Sequence, residues 1–340
     1  VSIYQELTTP LIMVWLLLSQ FEIGRGTPLV LAQFIHPGGM IEQFTVWFLI
    51  TYADIILFLL SFIVLSHTWK HQQHSHNRMD YLMIGLLLWG TISTLYAKGG
   101  EGALIGMFAL GKGVLMYFVL SRLINSSARL KAVAISFLCI LLFQSFWSEY
   151  QFVRGSPTGR FFDLASFKSG LTANSVIEQG MTIFRPSGTL EDPNAFALYV
   201  LMLLPIPLYL LLYSKNMLFQ LFFLTASLLG IGAVLISSSR TGYAVLTLLL
   251  LFIIRSEKSR LIPMLSRVVR HSRAAFFLLL FLLITTLSLL PNIILPRLAG
   301  LLEGYQATVI TSRVNLAKEA IVIIQNHPVL GIGLNGFVPE

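Results

Sequence analysis

Three stretches of this chain carry polar and ionisable residues that an apolar sequence does not need for its structure. Ser237-Ser238-Ser239-Arg240-Thr241-Gly242 separates two long apolar runs. A tight turn calls for serines and a glycine. An arginine at the edge of an apolar run is costly and tends to mark a pathway or a bound anion. Guanidinium matches phosphate oxygens in a bidentate fork, so Arg240 is a candidate phosphate ligand. The second stretch runs from Phe184-Arg185-Pro186-Ser187-Gly188-Thr189 to Asp192-Pro193-Asn194-Ala195-Phe196-Ala197. Asp192 then Pro193 is a good helix start, with Asp as N-cap and Pro in the first helical position. Arg185 reads either as a cation snorkelling to an interface or as a second anion ligand, and its position leaves both open. Asn194, in the same motif, is a candidate substrate contact.

The third stretch follows residue 306. Ile310, Val314, Ala317, Ile321 and Ile324 recur at spacings of four and three, which is one face of a helix. Such a helix lies in an interface or packs over a bundle. Arg313 falls beside that stripe, an odd place for a solubilising charge. His327 follows in Asn326-His327-Pro328, where proline stops the helix. Histidine is the side chain best suited to take a proton near neutral pH. A helix-end histidine satisfied by a carbonyl is the other reading of the same position. A continuous helix would separate Arg313 from His327 by about 21 Å. Arg185 and Arg240 are therefore preferred to Arg313 as phosphate ligands.

The elements that must position these residues are membrane spans. Hydrophobic residues make up 56% of the 340 and charged residues 11%, against roughly 25% charged in soluble chains. Mean hydropathy is +0.79. This composition excludes a soluble enzyme, a coiled coil, a disordered chain and a secreted disulfide scaffold; Cys139, the single cysteine, can form no internal disulfide. Apolar runs near 10–24, 44–66, 81–97, 103–121, 131–148, 193–213, 217–237, 242–254 and 274–290 predict about nine crossings. The fold class is thus all-α, a polytopic transmembrane helix bundle.

The net charge of +8 then reports orientation. One set of loops holds Lys70, Arg78, Arg122, Arg129, Lys131, Lys215, Arg255, Lys258, Arg260, Arg267, Arg270 and Arg273 against Glu6, Asp80 and Glu257. The positive-inside rule makes that set cytoplasmic. The two long loops, 149–192 and 291–340, then face outward, and long loops are usually functional. Residues 1–148 form the N-terminal transmembrane helices, and 149–340 form the core that carries all three motifs. The charge excess gives no reason to expect nucleic acid.

Other patterns are weaker. Gly331-Ile332-Gly333-Leu334-Asn335-Gly336 matches a dinucleotide fingerprint letter for letter, but it follows a helix and lacks the strand before it. His71, His74 and His76 lie in a short polar loop with no carboxylate or cysteine support, so no metal is expected. Asp54 and Lys112 are isolated ionisable residues inside spans, as transport relays often have.

Taken in order, Arg185 to Ala197, Ser239 to Gly242 and Ser312 to Phe337 resemble the motifs of the O-antigen ligase and polymerase superfamily. The resemblance covers roughly 180–340. It implies a metal-independent, inverting glycosyltransferase without a cofactor. Such an enzyme moves a glycan from undecaprenyl diphosphate to a hydroxyl of a lipid, glycan or protein acceptor in a bacterial inner (plasma) membrane, with its active site facing the periplasm or exterior. On that analogy Arg185 and Arg240 hold the donor diphosphate, His327 deprotonates the acceptor, and Arg313 and Asn194 are further substrate contacts. Relatives usually continue beyond the His-Pro-x-x-Gly-x-Gly motif, so the resemblance also implies a partial chain. A membrane transporter or small-anion carrier is the competing reading, carried by Asp54 and Lys112. A non-catalytic scaffold is the third.

Overall fold

An apolar environment leaves peptide groups no partner but one another, so long apolar runs fold as helices. In a computed structural model the chain is described at residues 2–18, 29–35, 41–46, 52–71, 77–96, 101–156, 175–178, 181–190, 192–271 and 307–334. Ten helices are described: α1 Ser2–Leu18, α2 Tyr52–His71, α3 Arg78–Tyr96, α4 Glu101–Leu123, α5 Ser127–Arg154, α6 Pro193–Leu203, α7 Pro205–Tyr213, α8 Met217–Ile236, α9 Arg240–His271 and α10 Ala307–Asn326. By length and composition, five described stretches can cross a membrane: Arg78–Tyr96, Gly106–Leu123, Ser127–Arg154, Pro193–Tyr213 and Met217–Ile236. The fourth is α6 and α7 in series, with Leu204 still in right-handed helical geometry at the join. This is a multi-pass helical membrane protein.

Two differences from the sequence expectation concern the loops. Leu29–Ile35 (β1) pairs antiparallel with Ile41–Val46 (β2), so the crossing expected from 44 starts only at Tyr52. Pro37-Gly38-Gly39 between these strands is turn composition, and Thr45-Val46 is β-branched, which outweighs the local hydropathy. A second hairpin, Ser175–Glu178 (β3) with Met181–Phe184 (β4), lies within the long loop 149–192. The expected span 274–290 and the residues His74 and His76 lie outside the described residues.

The chain divides into two compact units. In the first (Val1–Trp15, Gly24–Lys131 and Tyr305–Glu340), Asp80 is almost fully buried near the start of α3. Its carboxylate accepts from Asn77 N at 3.2 Å, the Tyr117 hydroxyl at 3.1 Å and Arg122 Nη2 at 3.0 Å, tying α3 to the end of α4. Arg129 is also buried. It donates to the Leu123 carbonyl at 2.7 Å, which closes α4, and to Thr8 Oγ1 at 3.1 Å.

In the second unit (Leu16–Ile23 and Ala132–Gly304), Leu211, Leu224 and Met264 form an apolar cluster among α7, α8 and α9. Beside it Arg260 lies over the Tyr213 ring at 4.3 Å and meets Glu257 at 3.1 Å. Glu257 itself leaves helical geometry (φ −118°, ψ 20°), which breaks α9 there. Met202, Leu218 and Phe252 are largely exposed, while Gln144, Ser148 and Gln151 are fully buried. Apolar side chains facing out and polar ones facing in suit a protein whose solvent is lipid.

Replacing Asp80 strands the groups that converge on it. Asp80→Ala is expected to destabilise the protein by about 1–3 kcal/mol. Unfolding of the purified protein in mixed micelles reads this, and an unchanged midpoint would remove Asp80 as the tie between α3 and α4.

Candidate functional site

The Arg185 motif is built as the sequence suggests at its helix start and more elaborately upstream. β4 ends at Phe184, so Arg185 leaves directly from a paired strand. Asp192 is the N-cap of α6: it is extended (φ −111°, ψ 128°), and its Oδ2 accepts from Ala195 N at 3.1 Å. Pro193 occupies the first helical turn, where a missing N–H costs nothing. Asp192 Oδ1 accepts from Asn194 Nδ2 at 3.2 Å, which turns the Asn194 carbonyl oxygen towards Arg185. Arg185 Nη2 donates to that oxygen at 3.0 Å, and Nε donates to the Ser237 carbonyl at 3.1 Å. Arg185 is half-buried, so its guanidinium is held by two aimed acceptors instead of ranging as a snorkelling side chain would.

Those acceptors join the first motif to the second. Ser237 ends α8, and Ser237, Ser238 and Ser239 are all buried. Ser238 takes the left-handed conformation (φ 52°), uncommon for a residue with a Cβ, and this turns the chain from α8 into α9 within three residues. Ser239 Oγ then accepts from Gly242 N at 3.2 Å and caps α9, whose first residue is the half-buried Arg240. A Cβ built on Gly242 would stand 2.9 Å from the Ala197 Cβ. The small residues of the two motifs are thus explained together, since Ala197 and Gly242 let the second turn of α6 and the first turn of α9 touch. Both helices begin at this end of the unit, and a helix start carries partial positive charge and unsatisfied N–H groups. With Arg185 and Arg240 added, the arrangement suits a phosphate or diphosphate.

Arg313 and His327 belong to the other unit. Arg313 lies within α10, and its side chain is outside the described residues. His327 sits just past the end of α10, where its N–H donates to the Ile323 carbonyl at 2.8 Å and its own carbonyl accepts from Gly331 N at 3.1 Å. Its side chain is exposed, and among the described residues its ring makes no hydrogen bond. The loop after it is held by α3: Ser93 Oγ donates to the Leu330 carbonyl, and a Cβ at Gly90 would stand 3.1 Å from Leu334 Cδ1. Gly331 and Gly333 have φ of +64° and +88°, so these glycines serve a left-handed turn, as the absence of a preceding strand suggests. Lys112 is half-buried in α4 with its ammonium 5.5 Å from the Phe108 ring, and the Asp54 side chain is outside the described residues. No cluster of metal-ligating side chains occurs among the described residues.

Sequence reasoning missed Ser237 as an acceptor for Arg185 and the meeting of Ala197 with Gly242. A small residue at the start of each apolar run was the available signal.

The fold and these residues define a multi-pass membrane protein with an arginine-bearing polar site at one end of its helices. Residues 224–340 match the family model described as O-Antigen ligase, so the resemblance carried by the second and third motifs holds over that whole stretch. No curated protein and no solved structure matches the chain.

The Ala197–Gly242 contact leaves no room for a larger residue. Gly242→Val is expected to force α6 and α9 apart at a cost of about 1–3 kcal/mol. A micelle unfolding curve that overlays wild type would show that the helices do not meet there.

Proposed function

We propose that the protein is a glycosyltransferase that moves a glycan from a polyprenyl-diphosphate donor, of the undecaprenyl type, to a hydroxyl acceptor at the extracytoplasmic face of a bacterial inner membrane. The observation that carries this reading is the meeting of two helix starts, one opening on Arg240 and the other bonded by Arg185 through Asn194, within a chain whose residues 224–340 match the O-antigen ligase family model. Ligation to a lipid or protein and polymerisation of repeat units use the same chemistry.

The acceptor oxygen attacks the anomeric carbon of the donor sugar as the carbon–oxygen bond to the diphosphate breaks. The hydroxyl proton passes to the His327 ring, which is exposed and has a nitrogen available as a base. Negative charge grows on the departing diphosphate, and Arg185 and Arg240 stabilise it from fixed positions. One displacement from the opposite face inverts the anomeric centre. Because arginines neutralise the leaving group, the reaction needs no divalent cation. Asn194 acts by orienting Arg185, and Arg313 is a further substrate contact.

A lipid-diphosphate glycan, an acceptor and the full-length protein in nanodiscs provide the assay. His327→Ala, Arg185→Ala and Arg240→Ala are each expected to slow transfer by about 100-fold or more. If all three, folded and inserted, match wild type, the reading is wrong. Excess EDTA is expected to leave the rate unchanged, and loss of transfer on chelation would return a metal to the mechanism. The coupling constant of the new anomeric proton reads the inversion.

Lys112, half-buried in α4, favours the competing carrier reading. In that case Lys112→Met abolishes anion uptake into vesicles, while His327→Ala leaves it intact.

A further inference from the structure

Between Arg185 and the Asp192 cap, residues 186–189 are all buried. Peptide groups removed from water need partners, and the local turn supplies one bond here, from Leu190 N to the Ser187 carbonyl at 3.0 Å. Others come from two glutamines of α5. Gln151 Oε1 accepts from Ser187 N at 3.3 Å and from Gly188 N at 3.0 Å, while its Nε2 donates to the Gly188 carbonyl at 2.8 Å. Gln144 Oε1 accepts from Thr189 N at 3.1 Å, and its Nε2 donates to Thr189 Oγ1 at 2.6 Å.

Gln144 and Gln151 are seven residues apart, two turns along one face of α5, and both are fully buried. Such side chains are expensive inside a membrane bundle unless every polar atom is matched. Here each amide is matched at both ends, and these five bonds all go to one short segment. Gly188 makes the close approach feasible. Its φ is +63°, and a Cβ there would meet the Gln144 amide and stand 2.6 Å from the Phe196 ring. Pro186 alone separates Ser187 from Arg185, and its ring fixes one backbone dihedral of that link.

We propose that Gln144 and Gln151 are positioning residues: their amides clamp residues 187–189 so that the Arg185 guanidinium is fixed beside the first turns of α6 and α9, ready for an anionic leaving group. The clamp rests on the role given to Arg185 under Proposed function. It assigns part of the donor site to α5, outside the stretch that matches the family model. The glutamines touch neither substrate and act only through Arg185.

That dependence gives the test. Steady-state transfer is measured with the nanodisc-embedded full-length protein and a lipid-diphosphate glycan donor, for Gln151→Leu, Arg185→Ala and the double variant. A misplaced catalytic group costs about tenfold to a hundredfold, and Gln151→Leu is expected to lower kcat by that factor with a smaller change in donor KM. The double variant is expected to be no slower than Arg185→Ala alone, because the clamp has nothing left to position. Multiplied losses in the double variant, or wild-type kcat in Gln151→Leu, would overturn the clamp and leave the role of Arg185 standing. Wild-type transfer by Arg185→Ala would instead overturn the role of Arg185 itself, and the clamp with it.

Thr189→Val and Thr189→Ser provide a second, nearly isosteric pair from the loop side, should Gln151→Leu fail to fold. The valine variant loses the Gln144 bond and is expected to slow transfer several-fold, while serine keeps the hydroxyl and restores it. Equal rates for the two would count against the clamp. A micelle unfolding midpoint for each variant separates lost catalysis from lost protein.

Discussion

A segment of irregular backbone that enters an apolar bundle must find partners for its peptide groups without help from water. Residues 186–189 are under that constraint, and the polar part of the second unit follows from it. Their bonds are provided by glutamines on α5 that would otherwise be liabilities in a membrane span. With the segment fixed, Arg185 has a defined starting point, and it reaches the end of α8 and the start of α6 from there. The buried serines that turn α8 into α9 complete the same arrangement. The buried serines and glutamines gather at one end of these helices, and the apolar cluster of Leu211, Leu224 and Met264 lies away from them.

Electrostatics and packing reinforce each other at that end. A helix dipole acts over about its first turn, so two helix starts help one anion only if they lie close together. Ala197 and Gly242 permit that closeness because neither carries a side chain beyond Cβ. The caps on Asp192 and Ser239 each satisfy one N–H of their helix.

Much of this was legible in the sequence, for reasons that differ by element. The runs at 193–213 and 217–237 agree with the helices almost to the residue, because Asp192-Pro193 is a helix-start signal and both runs have the length of a crossing. Arg240 stood out because a turn between apolar runs has no use for a guanidinium. The hairpins at 29–46 and 175–184 were not read, since a strand of four to seven residues inside a hydrophobic sequence leaves too short a period to separate from a helix. Gln144 and Gln151 were passed over because two polar residues in an apolar helix have many structural uses. Their spacing becomes informative only once the 187–189 segment is seen opposite them. His327 remained ambiguous for a similar reason: helix ends attract histidine whether or not it reacts.

The break in α9 at Glu257 has a consequence for the bilayer. Between Arg240, where the helix begins, and Arg255, just before the break, the helix rises about 23 Å. A hydrocarbon core is about 30 Å thick. A helical stretch of that length is shorter than a crossing needs, and it sits in a bilayer only where the lipid thins or its flanking charges are drawn towards the headgroups. For the donor proposed above, lipid thinned around Arg240 would let the diphosphate meet the arginine without being lifted out of the membrane.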